Sequence, residues 1–131
     1  MILLDTHVVY WAAAEPKQLS RAAARAIEKA SGAGGVWISS VTLYELAGML
    51  KSGRVRGGGS PQSVVEAIVG AVRAGVHEIT PEIAVLAQHF PDAFPRDPMD
   101  RVIAATAQAL GIPLVTKDDR MIDSALIETV W

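Results

Sequence analysis

The 131 residues contain no cysteine. Disulfides, iron–sulfur clusters and thiolate zinc sites are therefore excluded, and a reducing cytoplasm is the expected compartment. Aromatic residues are scarce, at 5%, so the core has to be built from alanine, valine, leucine and isoleucine. That palette suits helices packed on a β-branched sheet. Long hydrophobic runs are also missing. The longest candidate stretch, Val64 to Val76, carries Glu66 and Arg73 and is too short to span a bilayer. The opening MILLDTHVVYW has no basic leader and is broken by Asp5, so it reads as a first strand and not as a signal peptide. A soluble protein without a membrane partner is expected. Neither sign of charge dominates: the net charge is −2, which by itself does not point to a nucleic-acid binder.

Half of the residues are apolar and a fifth charged, the balance of a compact protein. The length predicts a single domain, residues 1–131, with a self-sufficient core. Apolar strand-like runs alternate with helical spacing. Ile2–Leu4 reads as a strand, with Asp5-Thr6 capping the helix that follows. Ser20 opens a second helix that ends before the glycines at 32, 34 and 35. Val36–Ser39 is a second strand and Val41–Lys51 a helix. After the flexible turn Gly57-Gly58-Gly59-Ser60, Pro61 starts a helix to about Ala74. A third strand is predicted at Val76–Ile79, then a helix from Pro81 to about His89 and a proline-containing loop over 90–96. The strongest helix runs from Pro98 to Leu110, stopped by Gly111. Pro113–Thr116 and Ile127–Val130 complete five strands, the last at an edge, with a short helix from Asp118 between them. Strand–helix alternation implies right-handed crossovers and a parallel α/β sheet.

Four acids fall at the junctions of this pattern: Asp5, Glu45, Asp100 and Asp118. Taken singly, Asp5, Asp97 and Asp118 read well as helix caps, and Asp100 as a first-turn acid. Glu45 resists that account. It lies between Val41 and Met49 on a helical wheel, and a carboxylate there has to be paired with an arginine, protonated or metal-bound. Joint placement is more telling. With the first strand central, between the second and the fourth, the carboxyl ends of the strands bring all four acids to one crevice where the strand order reverses. Such a cluster asks for a cation. Oxygen donors without cysteine or histidine favour Mg2+ or Mn2+ over zinc, and a divalent ion among carboxylates is suited to hydrolysing phosphodiesters. Thr6 and Thr116 are placed to position ligands or waters, although both also read as turn or strand-end hydroxyls. Setting aside the four acids leaves 12 basic residues against the other ten of the 14 acidic ones. Lys51, Arg54, Arg56, Arg96, Arg101, Lys117 and Arg120 lie near the proposed site in sequence. His7 sits two residues after Asp5, while His77 and His89 lack metal spacing. Trp37 reads as core, and Trp11 as core or as part of a partner surface.

The order LLDTHVVYW, then ISSVTLYELAGMLKSGRV, then RDPMDRVIAATAQALGIPLVTKDDRM closely resembles PIN domains, specifically VapC-type toxins of toxin–antitoxin pairs. The resemblance spans essentially the whole chain and is most specific from Arg96 to Asp118. It implies a PIN-like three-layer α/β/α fold with about five parallel strands. It also implies a Mg2+- or Mn2+-dependent endoribonuclease that acts as a homodimer on RNA and is inhibited by a cognate VapB-type antitoxin. Carried over position by position, it places the catalytic and metal-holding acids at Asp5, Glu45, Asp100 and Asp118. Thr116 becomes the hydroxyl before the fourth acid and Asp97 an auxiliary acid. Spacing from Thr116 favours Asp118 over Asp119. The RNA target, the antitoxin and the number of metal ions are left open. The alternative is a non-enzymatic Mg2+-binding or protein-interaction domain, either receiver-like or an inactive PIN domain. A receiver needs a phosphoacceptor aspartate after its third strand, where this chain has Ile79-Thr80-Pro81.

Overall fold

Three apolar residues without a turn-former make β1 (Ile2–Leu4), and all three are buried. Asp5 leaves the strand with extended backbone and accepts the N–H of Thr6, which starts α1 (Thr6–Ala14). A short 3-10 turn at Pro16–Gln18 leads to α2 (Arg21–Ser31), capped by the Ser20 hydroxyl. The computed structural model describes residues 1–131. Its later elements are β2 (Val36–Ser39), α3 (Ser40–Lys51), α4 (Pro61–Ala71), β3 (Gly75–His77), α5 (Pro81–His89) and α6 (Pro98–Leu110). They are followed by β4 (Leu114–Val115), α7 (Asp119–Ser124) and β5 (Thr129–Val130). Serine, threonine or aspartate caps α1 to α7 throughout, and proline opens α4, α5 and α6, as the sequence punctuation predicts. Gly111, at φ 63°, closes α6: its own N–H and that of Ile112 fold back onto Gln108 and Ala107.

The five strands are all parallel, in the order β3-β2-β1-β4-β5. The expected α/β/α architecture, central first strand and edge position of the last strand are all present. Side-chain alternation divides the core by face. Ile2, Leu4, Val36, Ile38 and Val115 point into one apolar cluster, packed by α1 to α4. Leu3 and Leu114 point into the other, covered by α5, α6 and Met121 of α7. The chain therefore builds outward from β1 to β2 and β3, then returns to lay β4 and β5 on the other side of β1. The crevice between β1 and β4 is the switch point at which such sheets bind ligands.

Several boundaries depart from expectation: β4 and β5 are shorter than the runs Pro113–Thr116 and Ile127–Val130, and two further elements differ for visible reasons. Strand β3 covers Gly75–His77, not Val76–Ile79. Its residues pair with Trp37, Ile38 and Ser39, after which the His77 ring bonds the Glu78 carbonyl at 2.9 Å and the chain turns away. Val76 and Ile79 stay 44% and 45% exposed, which apolar composition alone does not reveal at a sheet edge. Helix α4 stops at Ala71, short of Ala74, because Arg73 takes a left-handed conformation (φ 53°).

Trp37 sets the start of β3. It is partly buried against the α5–α6 face, as expected for a core residue, with its indole N–H unpartnered. Its ring lies over Gly75, where an added Cβ would come within 2.6 Å of ring carbon. Gly75→Ala is therefore expected to cost about 1–3 kcal/mol of stability through overpacking, read as a lower urea midpoint at unchanged m-value. An unchanged midpoint would show that the ring moves aside freely.

Candidate active site

Each acid reaches the β1–β4 crevice by a different local device. Asp5 is the residue at which β1 becomes α1, so its carboxylate is fixed by the geometry of a helix cap. It is 9% exposed, its Oδ1 accepting from Thr6 N at 2.8 Å and its Oδ2 from the Thr116 hydroxyl at 2.7 Å. Glu45 projects from the second turn of α3, where Thr6 Oγ1 donates to its Oε1 at 2.6 Å. The Thr42 hydroxyl lies 3.1 Å from that of Thr6. Asp118 caps α7 through Arg120 N, and its own N–H donates to Thr116 Oγ1. Thr6 and Thr116 thus tie three of the four acids into one hydroxyl-linked network, which anchors β1, α3 and the end of β4 together.

Asp100 differs from the others. It lies in the first turn of α6, whose N-terminus is capped by Asp97 through Met99 N and Asp100 N. No protein group donates a hydrogen bond to its carboxylate. The nearest cation, Arg120 Nη2, is 3.9 Å away, although the side chain is only 19% exposed.

These groups line one cleft of about 480 Å³, together with His7, Trp11, Asp97, Arg54, Lys117 and Arg120. The Coulomb and desolvation consequences follow from crowding carboxylates in a half-dry space. Burial raises Asp5 above the ordinary aspartate range, against the pull of its two hydrogen bonds. Burial likewise raises Glu45, opposed by the Thr6 hydroxyl and reinforced by the charges of Asp5 and Asp97. Asp100 is pushed up to about 7 by burial and by Asp5, Asp97, Glu45 and Asp118 in turn. Only Asp118 ends below its usual value: desolvation acts upward on it, but hydrogen bonds and charge from Arg120 outweigh that effect. The guanidinium grips it with Nε at 3.2 Å and Nη2 at 3.0 Å.

The sequence-derived acids therefore do meet, with qualifications. Asp118 lines the cleft, whereas Asp119 is an exposed first-turn residue of α7. Asp97 performs its capping duty and borders the cleft as well. Glu45 has a threonine partner and not the arginine its wheel position suggested. No three acidic or histidine side chains close on a single point as a finished metal site does, because Asp118 is drawn toward Arg120 while Asp5 is tied to two threonines. The donor set nonetheless suits a hard divalent cation, with carboxylate oxygens dominating and one of them lacking any protein donor.

Among the seven basic residues expected nearby, Arg54, Lys117 and Arg120 border the cleft. Lys51 and Arg56 instead line a hollow between α3 and α4, and Arg96 faces away toward α5. Arg101 also faces away. Its guanidinium donates to the carbonyls of Pro95 and Phe90 at 2.9 Å and Pro91 at 3.0 Å, and reaches those of Phe94 and Ala87. It is a loop clamp and not part of the electrostatic surface. Thr42 went unnoticed in the sequence; its spacing of three from Glu45 on α3 is the signal that marks it.

A PIN domain family model matches residues 2–125. The chain belongs to the PIN domain family. This PIN domain is 40% identical over 120 residues to Ribonuclease VapC22 of Mycobacterium tuberculosis, covering 92% of this chain and 88% of that protein. Its fold is similar to the VapBC2 structure from Rickettsia felis bound to a promoter DNA fragment, with TM-score 0.73 and 17% identity over 98% of this chain and 97% of that one. It is likewise similar to DNA-bound VapBC from Salmonella typhimurium, at TM-score 0.70 and 21% identity over 98% and 95% of the two chains. Within the PIN domain no helix is long and apolar enough to cross a membrane. VapC ribonucleases of the PIN family generally use a divalent metal.

Proposed function

We propose that this PIN domain is an endoribonuclease, the toxin of a toxin–antitoxin pair, that hydrolyses RNA phosphodiesters with Mg2+ or Mn2+ at Asp5, Glu45, Asp100 and Asp118. The observation that carries the reading is the switch-point cleft in which these four acids crowd, and where burial together with the neighbouring acids lifts Asp100 to about 7. Such mutual repulsion is a liability in a purely structural cluster and an asset in a cation site. Relatives point the same way: a ribonuclease at 40% identity and folds solved as toxin–antitoxin complexes.

When bound, the ion supplies a lowered water pKa and offsets charge developing on the phosphate. Asp5 and Asp100 are assigned as its main protein donors, with Glu45 and Asp118 in support. The chain's own groups do the rest. Thr116 and Thr6 hold the Asp5 and Glu45 carboxylates in place, so the adjustment on binding falls to Asp118, which has to turn from Arg120 toward the ion. Arg54, Lys117 and Arg120 attract the phosphate backbone to an otherwise acidic cleft. Glu45, raised by burial, is placed to take a proton from the attacking water. A VapB-type antitoxin is the assigned partner, and a homodimer the assigned assembly. Magnesium is the assigned ion.

Purified protein is expected to cut single-stranded RNA only with Mg2+ or Mn2+ present. Asp5→Ala is expected to abolish cutting with an unchanged circular dichroism spectrum. Undiminished cleavage by Asp5→Ala, or full activity in excess chelator, would overturn the assignment.

A further inference from the structure

We infer that the cleft wall formed by His7, Trp11 and Lys117 is a stacking subsite for one unpaired nucleobase beside the phosphodiester to be cut. The inference rests on the ribonuclease reading and adds to it where the strand's base is held. His7 and Trp11 are four positions apart on α1, so they present one face; their ring centroids lie 5.9 Å apart, tilted by 49°. Helix α1 is capped by Asp5, so the platform is coupled to the most buried acid of the site. Behind it, Trp131 packs against Trp11 at 5.9 Å, bracing the indole. From the end of β4, Lys117 brings its Nζ to 5.8 Å from the Trp11 ring centroid, between Thr116 and Asp118.

A core role accounts for only part of this arrangement. Trp11 and Trp131 pack against the α1–α4 side of the core, but Trp11 is only partly buried and His7 is exposed, and both line the acidic cleft. The His7 ring makes no hydrogen bond within the protein. An aromatic face flanked by a cation, beside a site that attracts a phosphate, matches the chemistry by which single-stranded nucleic acid is gripped: bases stack on rings while lysine or arginine meets the backbone. Every base has a π-face, so the subsite selects unpaired over paired RNA and leaves sequence choice to other contacts.

The test uses the full chain carrying Asp100→Asn, to suppress cutting, and a fluorescein-labelled single-stranded RNA of mixed sequence. Adding Trp11→Leu is expected to weaken binding measured by anisotropy about tenfold, and Trp11→Phe by less than about twofold. A duplex of the same sequence should bind weakly to all of them. In the cutting-competent protein, Trp11→Leu should raise KM about tenfold while kcat stays within about threefold. Scanning the oligonucleotide with abasic residues should find one position whose loss weakens binding to the parent and has no further effect on Trp11→Leu. Should Trp11→Leu fail to fold, the exposed His7→Ala and Lys117→Ala carry the same comparison, each expected to weaken binding about threefold. Equal losses on intact and abasic RNA would overturn the subsite. So would unchanged RNA binding, with or without lost binding of an antitoxin peptide. Failure of the native protein to cut any RNA would instead overturn the ribonuclease reading, since the anisotropy measurement does not depend on cutting.

Discussion

Asp100→Asn is expected to stabilise the metal-free protein near neutral pH while lowering RNA cleavage by about a thousandfold or more, the value of several kcal/mol of lost charge stabilisation. The two effects have one origin. Asp100 rises from 3.8 to about 7 on folding, through burial and the charges of Asp5, Asp97, Glu45 and Asp118. Between those values the folded state retains a proton that the unfolded state has released. Stability is therefore intact below about pH 4 as far as this group is concerned, falls as the pH rises toward 7, and carries the full penalty above that. Solvent still reaches part of the carboxylate, so the penalty is on the order of 1–2 kcal/mol, well below the value implied by the bare shift. The amide removes the charge and keeps the shape. Thermal denaturation at about pH 8 in chelator should show a melting temperature higher by several degrees, and the gap to the native chain should close by about pH 4. Added Mg2+ should stabilise the native chain and leave the variant unmoved. A variant melting no higher than the native chain at about pH 8 would mean that neither burial nor the neighbouring acids penalise the charged Asp100 carboxylate.

Arg101→Met is expected to cost about 3 kcal/mol or more, since hydrogen bonds from a charged donor contribute roughly 1.5–3 kcal/mol each and the abandoned carbonyls are partly buried. The forked guanidinium serves Pro95, Phe90 and Pro91 at 2.9 to 3.0 Å. It also lies 6.0 Å from the centroid of Phe94, itself stacked on Phe90. This side chain gathers the loop between α5 and α6 and so fixes the residues that lead into the Asp97 cap and Asp100. Arg101→Lys should recover little, because an ammonium cannot serve a fan of carbonyls. Urea denaturation would show the loss. A midpoint within error of the native value would indicate that the loop is held by its prolines and phenylalanines alone.

Much of the architecture was readable because local signals agreed. Caps, prolines and strand-like runs located the elements; a central β1 with β2 and β4 beside it entered as a condition, which the sheet order meets. From that order the meeting of Asp5, Glu45, Asp100 and Asp118 follows as a property of parallel sheets, although they are as much as 113 positions apart in the chain. Capping and chemistry proved to be compatible duties: Asp5, Asp97 and Asp118 each cap a helix and border the cleft. The unreadable features depend on partners distant in sequence. The register of β3 is set by the Trp37 ring over Gly75, the support of Glu45 by Thr6 on another helix, and the direction of Arg101 by a loop that closes only in three dimensions. A basic residue beside DPMD looks like a phosphate contact in one dimension; the position of five carbonyls decides otherwise.

The Thr116 hydroxyl on Asp5 closes a separation of 111 positions. During synthesis Asp5 emerges long before its tether, since β4 inserts beside β1 only after α6 has left the ribosome. A polypeptide cut off before Thr116 can hold no finished cutting centre. The cutting centre is thereby completed only once α6 and β4 have both been made, however early Asp5 and Glu45 fold.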